Sequence, residues 1–138
     1  MASYIHDGWT REDGFISEEK DPGNGEILHG PLSFSYRPAT RMEVVRIDKE
    51  IELCQKDGTT ENAIKAEKLG CDWLAKHLVS WDLKNSGGHD VPVNQAALER
   101  LQPYLFGKLY RIIRGTQASD KKLEEDKSPL SDEELQKN

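Results

Sequence analysis

Apolar positions along the chain fall into two periods. Leu32, Phe34 and Tyr36 alternate with Ser33 and Ser35, the two-residue period of a strand with one buried face. Val79, Trp81 and Leu83 alternate in the same way. Between these stretches the spacing lengthens to three and four residues. Val44, Ile47, Ile51 and Cys54, with Val45 and Leu53 beside them, predict an amphipathic helix from Arg41 to about Lys56. Arg46, Lys49, Glu50 and Lys56 occupy its polar side. Thr40 followed by Glu43 is a capping box that starts this helix, and Asp57-Gly58 ends it. Thr60 is the expected cap of a second helix carrying Ala63, Ile64, Ala66, Leu69, Trp73, Leu74 and Leu78. So short a connection makes the two an antiparallel pair.

The polar run Lys84–Asp90 contains Gly87-Gly88, a turn signal, and Val91-Pro92-Val93 reads as a second extended piece. Its proline suits an edge, so a short β-hairpin centred on Trp81 is expected. Asn94 then caps a helix with Ala97, Leu98 and Leu101. Pro103 marks a break before a closing helix with Leu105, Leu109, Ile112 and Ile113, ended by Gly115. Lys108, Arg111 and Arg114 suit the negative end of that helix.

The ends are weaker. Residues 1–30 are rich in turn pairs (Asp7-Gly8, Asp13-Gly14, Asn24-Gly25). Phe15–Glu18 and Glu26–Tyr36 are expected to pair across the Asp21–Gly25 turn, with a weak point at Gly30-Pro31. Residues 1–13 are expected to be mobile. Residues 116–138 are almost wholly polar and read as a flexible C-terminal tail, with Leu130 and Leu135 as its docking residues if it docks. The predicted architecture is α+β and mainly α. It is one domain over 1–115, with a small N-terminal β element, an antiparallel helix pair, a hairpin insertion, a closing helix and the tail.

Charge and composition narrow the function. The net charge is −6 with acids and bases interspersed, whereas nucleic-acid binding calls for a positive face. No apolar run approaches a membrane span of about 20 residues. No basic segment followed by an apolar one opens the chain. A cytoplasmic site of action is therefore expected. Cys54 and Cys71 are isolated from each other and from histidine, so free thiols are expected ahead of a disulfide, and no metal. His6, His29, His77 and His89 form no ligand set, and His77 reads as a structural histidine. No serine or cysteine has a base beside it, and no glycine run has the form of a phosphate loop. No catalysis and no cofactor are expected. Aromatics exceed what a small core has to hide. Trp9, Tyr36, Tyr104, Phe106 and Tyr110 are the candidate partner-binding residues, although Phe106 also fits the core stripe of its helix. Whether the chain self-associates stays open.

Three stretches resemble one family, the tail assembly chaperones of long-tailed bacteriophages. They are LSFSYRPAT (Leu32–Thr40), LVSWDLKNSGGHDVPVN (Leu78–Asn94) and AALERLQPYLFGKLYRIIRG (Ala96–Gly115). The second is similar to the family's run of valine, tryptophan, aspartate, polar glycine turn and proline-containing piece. The resemblance implies a small, mainly helical protein of virion assembly in the host cytoplasm. It implies binding to the tape-measure protein, which is kept soluble, and help with polymerisation of tail tube protein around it. In many relatives a frameshift adds a longer product. The alternatives are a structural tail or virion component and another small protein-binding adaptor.

Overall fold

The computed structural model describes residues 5–121. In chain order the elements are β1 (Glu12–Ile16), β2 (Glu19–Lys20), β3 (Ile27–His29), β4 (Leu32–Tyr36), α1 (Arg41–Cys54), α2 (Thr60–His77), β5 (Leu78–Trp81), α3 (Gln95–Glu99) and α4 (Pro103–Arg114). The fold is α+β: helices on one side of a small antiparallel sheet of order β1-β4-β5, with β2 and β3 as a separate pair.

The N-terminal strands make one long hairpin that divides at Gly30-Pro31. Phe15 pairs with Ser33 and Ile16 with Leu32 below the division, and Glu19 with His29 above it. Proline brings no N–H to a ladder, which accounts for the break. The strand period is honoured in β4: Leu32, Phe34 and Tyr36 are buried while Ser33 and Ser35 face outwards. Gly14 is needed at its place. A Cβ there would collide with the far end of the Phe34 ring, which lies against the β1 backbone.

The expected hairpin around Trp81 is corrected. β5 is the third strand of the main sheet, with Phe34 opposite Trp81 and Tyr36 opposite Leu78. The register shifts between these pairs. Val79 is the extra residue, so Leu78 and not Val79 is the buried one. Val91-Pro92-Val93 forms no strand. What survives of the hairpin is one bridge, Lys84 to Asp90, with Val91 N–H donating to Leu83 O at 3.0 Å. Trp81 still pins this loop, because its Nε1–H donates to Val91 O at 2.7 Å.

Helix ends follow local chemistry. The Thr40–Glu43 capping box forms, with Thr40 N–H donating to Glu43 Oε1 at 2.8 Å. The second cap sits one residue earlier than expected: Thr59, not Thr60, accepts from Asn62 N–H at 3.1 Å. Asn94 accepts from Ala97 N–H, and Gln102 caps α4 ahead of Pro103. Gly115 ends α4 with φ of 89°, a left-handed cap.

Leu105, Leu109, Ile112 and Ile113 of α4 close the core over Ile16, Leu32 and Phe34, with Leu74 of α2 and Leu98 of α3 beside them. His77 is buried and structural. Its Nδ1 lies 2.9 Å from Arg37 O, and Arg37 N–H donates to His77 O at 2.9 Å, locking the α2–β5 corner to the end of β4.

Two boundaries move. Regular structure begins at Glu12, inside the segment expected to be mobile. The expected tail beyond Gly115 is fastened as far as Asp120. Phe15 N–H donates to Ser119 Oγ at 2.7 Å, Asp120 N–H donates to Phe15 O at 2.8 Å, and Ser17 N–H donates to Asp120 Oδ2 at 2.9 Å. Lys108 Nζ grips the same carboxylate at 2.7 Å. This strap covers the open edge of β1, a place where sheets otherwise invite pairing. Leu130 and Leu135 lie outside the described residues.

Candidate partner-binding surface

The helices of one side leave an apolar groove of about 450 Å³ between α2, α3 and α4. Ile64 and Cys71 of α2, Leu98 and Leu101 around α3, and Pro103 and Phe106 of α4 line it. Spacing explains the arrangement. Pro103, Phe106 and Tyr110 recur at three and four residues on one side of α4, beside the stripe that enters the core. The groove rim is polar, with Glu67 and the pair Lys68–Glu99 at 3.3 Å.

Phe106 is half-buried and begins a row of rings. It stacks on Tyr110 with centroids 6.0 Å apart, Tyr110 meets Trp73 edge-on at 5.5 Å, and Trp73 lies 4.4 Å from the His77 ring. Arg114 lies 5.5 Å from the Tyr110 centroid and donates to both oxygens of Asp48 on α1, at 2.7 and 3.0 Å. The row thus joins the groove to the seam between α4 and α1. Burial pushes the Tyr110 phenol above its ordinary value, while nearby Arg114 works against that shift. The Tyr110 hydroxyl is buried with no hydrogen-bond partner of good geometry among the described residues.

The five aromatic candidates are not one patch. Tyr104 is 64% exposed on the first turn of α4 and is not among the residues that line the groove. Phe106 and Tyr110 belong to the ring row. Trp9 is 81% exposed in a separate N-terminal loop. Asp7 holds that loop by accepting from the N–H groups of Trp9 and Thr10, both at 2.8 Å. Those backbone donors hold the Asp7 carboxyl down at about 2. Tyr36 is a correction. It is 7% exposed, in the central strand, with its ring 5.4 Å from Phe34, so it is a core residue and not an exposed anchor. Burial, with Glu12 beside it, pushes its phenol up to about 12.

Sequence reasoning missed Ile64, Leu101 and Pro103 as surface groups. Their signal was present: Ile64 and Phe106 fall at the margins of their helical stripes, where two helices leave a cleft. The chemistry the groove offers is apolar contact. Cys71 in its wall is a thiol pushed up to about 11, chiefly by burial, and both cysteines are free. A thiol held that far above neutrality is protonated and a poor nucleophile.

Two other concavities differ in character. One of about 810 Å³ lies between Gly30-Pro31, Leu83, Val91-Pro92 and α3, with Arg100 and Asp90 at its edge. Another of about 620 Å³ lies on the outer sheet face over Ser33, Ser35 and Ser80. Among the described residues no cluster of three or more His, Cys, Asp or Glu has metal-holding geometry. No helix among them is long and apolar enough to cross a membrane. No family model, no curated protein and no solved structure matches this chain.

Proposed function

We propose that this chain is a phage tail assembly chaperone. It binds apolar helical segments of the tape-measure protein reversibly in the host cytoplasm and hands that protein to the polymerising tail tube. The observation that carries this reading is the groove beside Phe106. It is apolar along its floor, polar at its rim, and flanked by Ile64, which is more than half exposed. Such a groove fits the apolar face of an amphipathic helix. A net charge of −6 keeps a complex with an aggregation-prone chain in solution. The three stretches that resemble the family include α3 and α4, which build half of the groove.

The test is co-expression of the full chain with the tape-measure protein of the same phage, read by soluble yield and co-purification. Wild type is expected to hold the long partner in solution. Ile64→Ser, on an exposed side chain of the groove wall, is expected to weaken retention by about tenfold, the scale of one apolar anchor. An insoluble, unretained partner overturns the proposal. Recovery of the chain at stoichiometric levels in finished particles moves it to the structural alternative.

A further inference from the structure

Helix α1 has a second apolar stripe, and it faces solvent. Val44, Ile47, Ile51 and Cys54 form its inner side, of which Ile47 is buried, and α2 is its main packing partner. At about 100° per residue, Met42, Val45, Lys49 and Leu53 gather on the opposite side. Met42, Val45 and Leu53 are 54%, 56% and 57% exposed. Lys49 leans along the helix towards Glu52, 3.7 Å away.

The charges beside this stripe are ordered about the helix midpoint. Arg41 and Glu52 fall on one flank, Arg46 and Glu50 on the other, and all are exposed. These four residues put a base in the first half and an acid in the second half of each flank, while Glu43 and Asp48, further round the helix, are engaged by the Thr40 cap and by Arg114. We propose that this face binds the same face of a second copy of the chain, antiparallel, about a two-fold axis near Ile47 and Asp48.

Turning one helix end for end about that point sets these four charges in opposite-sign pairs. Met42 meets Leu53 of the second copy, and Val45 meets the aliphatic stem of its Lys49. In an antiparallel pair each flank meets the same flank of the other helix. Arg41 then faces Glu52 of the second copy and Arg46 faces its Glu50. The contact is isologous, so each pair occurs twice. A parallel arrangement sets arginine on arginine and glutamate on glutamate. An unrelated partner has to supply this reversed charge order, whereas the chain already carries it.

The contact is small. Fourteen residues span about 21 Å at 1.5 Å per residue, which places it in the transient class of interfaces. The groove beside Phe106 is built from α2, α3 and α4, so pairing through α1 is independent of the function proposed above.

Sedimentation equilibrium of the full chain tests it. From about 10 µM to about 1 mM, the range of a weak contact, the mass is expected to climb from 15.7 kDa towards twice that value. Arg41→Glu with Arg46→Glu makes both halves acidic, and Glu50→Lys with Glu52→Lys makes both basic. Each double variant is expected to stay monomeric, and an equal mixture of the two is expected to dimerise. Both changes place charges that the helix dipole favours, so the helix is retained, as far-UV circular dichroism will report. Wild type that stays monomeric at the highest concentration overturns the proposal. So does a dimer indifferent to the charge reversals, or a mixture that associates no better than its components.

Discussion

Helices α1 and α4 are nearly equal in length, 14 and 12 residues, and both are well capped, yet they are held by different forces. α4 buries Leu105, Leu109, Ile112 and Ile113, whereas α1 buries Ile47 alone. α4 also ends favourably: Arg111 and Arg114 occupy its last turn and Gly115 takes the left-handed cap. The last turn of α1 has no basic residue, and Glu52 there opposes the dipole. Local signals define α1, while burial holds α4. Since most helical stability in proteins comes from packing an apolar face, α4 belongs to the cooperative core and α1 is the element free to open or to bind.

The largest expected effect breaks this comparison most directly. Leu109 is fully buried, and Leu109→Ala is expected to cost about 3–4 kcal/mol of unfolding free energy in urea, a transfer loss plus a cavity. Ile47→Ala is expected to cost about 2 kcal/mol, since α1 can settle onto α2 and shrink the void. Native-state hydrogen exchange is expected to show α1 amides opening well below the global free energy. Equal losses and equal protection would make the two helices one unit.

The sequence showed this contrast only in part. The capping box at Thr40, the cap at Asn94, the break at Pro103 and the stop at Gly115 were legible because each acts within a few residues. The stripe of α4 was legible because it repeats at the helical period. The place of β5 was not. Val79, Trp81 and Leu83 alternate, but a bulge at Val79 turns Leu78 inwards, and the partner strand β4 lies a helix pair earlier in the chain. Tyr36 has the aromatic character of an anchor, and only the central position of β4 reveals it as core. The strap left no periodic trace, because Ser119 and Asp120 act through bonds to Phe15 and Ser17, separated by 104 and 103 positions. Val45 and Leu53 are neighbours in sequence of the inner stripe, so they read with it, although they lie on the opposite side of α1. Exposure is what separates them from the core.

The strap sharpens the comparison on the α4 side. Burial opposes ionisation of Asp120, but the bonds from Lys108 and Ser17 outweigh it and hold the carboxyl below its ordinary value of 3.8. A carboxylate depressed in the folded state contributes stability above its unfolded value, and loses it as pH falls through the folded value. Asp120→Asn is expected to cost about 1 kcal/mol at pH 7, a net charge-assisted hydrogen bond at a partly exposed site. The gap between variant and wild type should narrow as pH falls below the ordinary carboxylate range. A gap independent of pH would mean that Ser119, and not the carboxylate, carries the strap.

The smallest effects lie on the seam where the two helices meet. Arg114 of α4 and Asp48 of α1 form a bidentate pair, but Asp48 is half exposed. Arg114→Met is expected to cost only about 0.5 kcal/mol and to loosen α1 without touching the core. Tyr110 beside it should move the other way. Its buried hydroxyl lacks a well-formed partner among the described residues. Removing a buried hydroxyl that has no well-formed bond relieves its desolvation cost, so Tyr110→Phe is expected to leave stability unchanged or raise it by about 0.5 kcal/mol. Tyr36→Phe is the control, because that hydroxyl reaches Glu12 Oε1 at a long 3.5 Å. It is expected to lose a few tenths of a kcal/mol, about what so stretched a bond can supply. A loss at Tyr110 larger than at Tyr36 would mean that Arg114 bonds the phenol in solution. The seam would then tie α1 to the core more tightly than its one buried side chain suggests.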